Sequence, residues 1–147
     1  MKTKKYVIYL LIIILLFVCC VEIGLKTTVG SNILSRYEWT QKKDQLENTE
    51  ISKITFYTGG INAKNVELTG SEKDNFIEYL LNSEFYRSNS SGQIDGGMAI
   101  ILNSKDGSHD SFEYCGGDIF QISHNGNLFS IKNEELEKIL LKYNVTL

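Results

Sequence analysis

MAIILNSKDGSHDSFEYCGGDIFQISHNGNLFSIK, residues 98–132, decides how this chain folds. Four short runs of aliphatic, aromatic and β-branched residues (98–103, 109–115, 118–123 and 128–132) are separated by Ser104-Lys105-Asp106-Gly107, Gly116-Gly117 and Asn125-Gly126. Each connection contains the glycine that a tight hairpin uses for its positive-φ position. Runs of this composition between such turns predict an antiparallel four-strand meander.

Alternation along the runs assigns the faces. A strict two-residue turn at Gly116-Gly117 would put Phe120 and Ile122 on the side of His109, Ser111 and Glu113. A three-residue loop with a bulge instead pairs Phe112 with Phe120 and Asp110 with Ile122, which keeps the aromatic side chains together. On that register Met98, Ile100, Leu102, Phe112, Tyr114, Phe120, Ile122, Phe129 and Ile131 form one apolar face. The other face shows Ala99, Ile101, His109, Ser111, Glu113, Ile119, Gln121, Ser123 and Ser130, and is expected to be open and half polar.

Elements on either side of the meander supply the cover for its apolar face. Downstream, Asn133 can cap a helix that carries Leu136, Ile139, Leu140 and Tyr143 on one stripe. Upstream, residues 51–58 read as a strand stopped by Gly59-Gly60, and residues 66–69 as a second short strand. Thr69-Gly70-Ser71-Glu72 and Ser71-Glu72-Lys73-Asp74 then offer hydroxyl caps ahead of Phe76, Ile77, Leu80 and Leu81, so a helix is expected over 72–82. A polar loop is expected over 87–97, with a mobile Ser-Asn-Ser-Ser-Gly centre.

The order strand, helix, four strands, helix resembles the βαββββα arrangement of the TATA-box-binding-protein-like folds. The chain also resembles small exported, membrane-anchored proteins of Gram-positive bacteria, whose functions are mostly uncharacterised. The resemblance covers roughly residues 66–143 and rests on element order, on Val66-Glu67-Leu68-Thr69 before a capped helix, on Lys105-Asp106-Gly107 in a hairpin, and on Tyr114-Cys115-Gly116-Gly117-Asp118-Ile119. These motifs are structural and imply no catalytic residues.

Residues 6–21 are apolar without interruption and follow Lys2-Thr3-Lys4-Lys5. A basic flank before an apolar run is the pattern of an export segment. Small residues at a cleavage site are missing, and counting on to Leu25 gives a helix of roughly 30 Å, so a retained transmembrane anchor over residues 1–25 is expected. The lysines on the N-terminal flank would place the rest of the chain outside the cytoplasm. A cleaved, secreted form and a lipid-anchored one are the alternatives, the latter because Cys19 and Cys20 close the run. Residues 26–50 read as a stem or linker and 51–147 as the extracytoplasmic domain.

Charge and composition exclude some functions. The chain has 147 residues and a formal net charge of −3. Residues 26–147 hold 12 basic and 17 acidic side chains, so no basic stripe for nucleic acid exists. Cys115 is the only cysteine beyond the N-terminal run, so no internal disulfide can staple the domain.

Catalysis and metal binding have thin support. Cys115 and His124 stand at opposite ends of one expected strand, roughly 20 Å apart, too far for proton transfer. His109 and Glu113 share a face but lie about 13 Å apart, so they need further ligands to hold a metal. No cofactor motif is present. The expected fold class is therefore α+β, an N-terminal transmembrane helix followed by one small domain with an antiparallel sheet and two helices on one face. The expected function is a binding or interaction module rather than an enzyme. Its interaction face holds Ile101, His109, Glu113, Ile119 and Gln121, and its partners are the membrane, through residues 6–25, and a protein or small ligand on the open sheet face. An immunity-type or envelope-stress accessory protein is the second reading.

Overall fold

A computed structural model describes residues 2–25, 27–57, 65–88 and 98–143. The chain divides into two compact units, residues 1–34 and Ser35–Leu147. In the first unit lie helix α1, Lys2–Leu25, and the opening turns of helix α2, Thr28–Glu47. The expected transmembrane helix is corrected here, because among the described residues no helix is long and apolar enough to cross a membrane. The lengths give the reason. The uninterrupted apolar run, residues 6–21, spans about 24 Å as a helix against about 30 Å of hydrocarbon, and reaching Leu25 brings Glu22 and Gly24 into the span.

The second unit is α+β. Its strands are β1 Ile51–Tyr57, β2 Asn65–Leu68, β3 Glu84–Ser88, β4 Met98–Ser104, β5 His109–Tyr114, β6 Ile119–His124 and β7 Asn127–Lys132. All seven pair antiparallel in one sheet of order β2-β1-β4-β5-β6-β7-β3. The expected four-strand meander is thus the centre of a wider sheet, with β1 against β4 and β3 against β7. Residues 87 and 88, expected in a loop, belong to β3; the rest of that loop lies outside the described residues, as does the Gly59-Gly60 turn.

The core formed on the face the alternation assigned. All nine expected side chains, Met98 through Ile131, are buried, and Ile54, Phe56 and Leu68 extend the same face across β1 and β2. The register at the β5–β6 hairpin differs from the expected one by two residues. Phe112 pairs with Ile122 and Tyr114 with Phe120, which preserves the faces and moves every contact along by one pleat. The loop keeps the expected three residues but shifts by one to residues 116–118, with Gly116 and Gly117 at positive φ and Cys115 N–H donating to the Ile119 carbonyl at 3.0 Å across its base. At the next hairpin Asn125 and Gly126 have φ of 48° and 78° between the paired His124 and Asn127, the two-residue turn whose twist suits a hairpin.

Three helical segments, not two, cover this face. Helix α3, Gly70–Leu81, buries Phe76 and Leu80; helix α4, Glu134–Lys142, buries Leu136 and Leu140. Asn133 caps α4 as expected, its Oδ1 accepting from the backbone N–H of Glu135 and Leu136, while its Nδ2 donates to the Tyr79 carbonyl and ties α4 to α3. The third segment is residues 35–47 of α2. The linker expected over 26–50 therefore ends early, because Trp39 and Leu46 are buried in the core. The Trp39 ring packs tilted against Phe129, 6.3 Å between centroids, and its indole N–H donates to the Ser83 carbonyl at 3.2 Å. Lys42, itself buried, meets Asp110 on β5. Glu38 accepts from the side-chain amides of Asn125 and Asn127 at the β6–β7 turn.

Candidate functional site

With the three helical segments on the core face, the second face of the sheet carries no helix among the described residues. It is less open than alternation suggests: Thr55, Gln121 and Ser130 all point to this side and are buried. Across β4, β5, β6 and β7 it forms a concavity of about 650 Å³, lined by Ala99, Ser111, Glu113, Gln121, Ser123 and Leu128. That volume falls within the range of small-molecule sites.

Two side chains define its chemistry. Gln121 is 2% exposed, yet neither its amide nitrogen nor its carbonyl oxygen has a hydrogen-bond partner. A buried carboxamide left unpaired loses the full desolvation cost of its donors and acceptors, about 1–3 kcal/mol for such a group. Glu113 faces it as the directly opposite residue of β5, which puts the two Cβ atoms about 5 Å apart. Among the described residues no hydrogen bond or ion pair reaches the Glu113 carboxylate. Ser111 and Ser123 add a hydroxyl two residues along each strand, and Ala99 and Leu128 form the apolar flanks.

Of the five residues expected to form an interaction face, the structure brings Glu113 and Gln121 together. Ile101 and Ile119 are half-buried on the same side without lining the concavity, and His109 is exposed at the start of β5. Gln121 was expected on an exposed surface; it keeps the expected face but is buried. Leu128, which the sequence offers with Ile101 and Ile119 as an interface patch, does line the hollow, whereas Ala99, Ser111 and Ser123 carry no site signal of their own in the sequence. Their shared parity on adjacent strands was the signal available, and only the register places them around one hollow.

The other groups with chemical promise stand apart. Cys115 lies at the glycine end of β6, whereas His124 closes its other end, 3.7 Å from a Glu38 oxygen. Burial, and then the Glu113 carboxylate, push the Cys115 thiol above its ordinary range, which lowers its nucleophilicity at neutral pH. Among the described residues no group of three or more His, Cys, Asp or Glu side chains is placed to hold a metal ion. A smaller hollow of about 270 Å³ between α3 and α4 is bridged by the Lys142–Glu72 ion pair at 2.7 Å.

In comparisons with known proteins, no family model, no curated protein and no solved structure matches the chain. The site alone therefore carries the functional argument.

Proposed function

We propose that the domain Ser35–Leu147 is a binding module whose ligand occupies the second-face concavity. The observation that carries this reading is Gln121, a lining residue of the hollow whose buried carboxamide has no partner for its oxygen or its nitrogen; both atoms are closed to solvent, so a ligand meets them when the side chain turns into the hollow. Buried polar groups in folded proteins are paired in the great majority of cases, and an exception calls for an explanation, which in this reading is a partner that arrives from outside. A ligand with a donor and an acceptor recovers what the folded chain forgoes.

We also propose that the module works outside the cytoplasm. Lys2-Thr3-Lys4-Lys5 ahead of the apolar run supports an export segment, and the acidic balance of residues 26–147 supports a setting free of nucleic acid. The domain should appear in the medium or be digested by a protease added to intact cells; a cell-associated form protected in intact cells and digested after lysis would reject that placement.

The test of the binding reading is a screen of amino-acid amides, short peptides and neutral sugars against the full-length, ¹⁵N-labelled protein, followed by amide chemical shifts. The expected result is a set of shifts clustered at Ala99, Glu113, Gln121, Ser123 and Leu128. Shifts confined to the α3–α4 hollow, or chemical turnover of a probe at Cys115, would overturn the reading.

A further inference from the structure

We propose that the second-face concavity takes an extended peptide bearing a basic side chain. One peptide residue offers its N–H and C=O to the Gln121 carboxamide, and a neighbouring Lys or Arg side chain meets Glu113. The proposal rests on the reading of this hollow as the ligand site and names the class of its ligand.

The two unpaired groups set the requirement between them. Gln121 lacks both an acceptor for its N–H groups and a donor for its oxygen. A phosphate or carboxylate would serve only the nitrogen and would be repelled by Glu113. An inorganic cation would serve only the oxygen. A residue in an extended chain points its N–H and C=O to the same side, as it does in the hydrogen-bonded pairs of an antiparallel ladder. It therefore matches a carboxamide at both atoms.

Charge then selects among peptides. Lys53, Lys73, Lys105, Lys132, Lys138 and Lys142 each already have a carboxylate partner, and Arg87, in the same cross-strand row as Glu113 but three strands away on β3, lies over the Tyr86 ring. Glu113, half-buried and on the strand beside Gln121, has none among the described residues. Residues 26–147 carry five more acidic than basic side chains. An incoming ammonium or guanidinium gives Glu113 a charge-assisted hydrogen bond, about twice as strong as a neutral one. A neutral glycan would leave that charge uncompensated.

The location explains why the contact falls to side chains. β5 and β6 are hydrogen-bonded on both edges, so a peptide cannot join them as an extra strand. It lies across the face, where Gln121 is the group able to pair with its backbone, with Ser111 and Ser123 beside it and Ala99 and Leu128 leaving room.

The experiment titrates the full-length, ¹⁵N-labelled protein with four probes at millimolar concentration: acetyl-Gly-Arg-Gly-amide, its norleucine and glutamate counterparts, and chitotriose as the neutral glycan. The arginine peptide is expected to shift the Gln121 side-chain NH₂ signals and the Glu113 amide, and to bind about tenfold more tightly than the other three. Glu113→Gln should erase the preference for arginine while keeping a native spectrum. Gln121→Met should weaken every peptide by about tenfold. If the norleucine peptide, the glutamate peptide or chitotriose shifts Gln121 with equal or higher affinity, the basic-peptide class is overturned and the second-face site stands. If no probe shifts Gln121, the proposal is overturned, and the broader screen decides separately whether the face binds anything.

Discussion

Tyr114 shows how one side chain ties the helix layer to the sheet and sets a pH limit on stability. Its hydroxyl donates to Glu137 on α4 at 3.1 Å, and burial, with that carboxylate beside it, pushes its pKa up to about 12 from an ordinary value near 10. The neutral form is the one the fold favours. Its contribution is present below pH 10, where folded and unfolded states are both protonated, and is lost as pH rises from 10 towards 12 because the unfolded chain ionises first. Urea melts are expected to show the wild-type protein losing more stability between pH 9 and pH 11.5 than Tyr114→Phe; parallel losses would refute the assignment. Cys115, the next residue, is tempting as a nucleophile and poorly built for it. Burial and the Glu113 carboxylate hold its thiol high, so iodoacetamide near pH 7 should modify it no faster than a free model cysteine, with the alkylated residue identified by mass spectrometry to separate it from Cys19 and Cys20. Modification about tenfold faster than the model thiol would revive a catalytic reading.

Among the elements, the strongly patterned ones were legible and the mixed ones were not. The nine alternating side chains of the meander named the core face, and the Asn133 cap and apolar stripe of α4 named the last helix. The two-residue register error at β5–β6 arose because alternation fixes parity alone; the loop around Gly116-Gly117 decides the remainder. β3 was hidden because only Phe85 of its five residues packs against the core, while Glu84, Tyr86 and Arg87 are exposed. Residues 35–47 of α2 were hidden for a related reason: their buried surface combines Trp39 and Leu46 with Ser35, Glu38 and Lys42, and the sheet partners of Glu38 and Lys42 come from distant sequence. The structure makes this segment part of the core. Trp39→Ala should therefore destabilise the domain by about 3–5 kcal/mol, as expected for a large aromatic side chain removed from a packed interior. A change under about 0.5 kcal/mol, the usual range for exposed positions, would show that α2 does not belong to the fold.

For the whole molecule, the seven-stranded sheet gives one face to the core and leaves the other to a hollow whose floor holds an unsatisfied amide. The sequence made half of this legible. Glu113 and Gln121 could be placed on the side opposite the aromatics, but not beside each other over a cavity, because that depends on the register and on the burial of Thr55 and Ser130 around them. Nor could residue spacing show that Gln121 lacks a partner. If Gln121 is kept for a ligand at the expense of the fold, as proposed, the unfolding free energy of Gln121→Met will show it. Methionine has a similar shape and no polar group to strand, so the substitution is expected to raise the unfolding free energy by about 1–3 kcal/mol in urea melts without ligand. A variant less stable than the wild type by about 1 kcal/mol or more would mean that the amide is already satisfied within the folded chain, and would contradict the account.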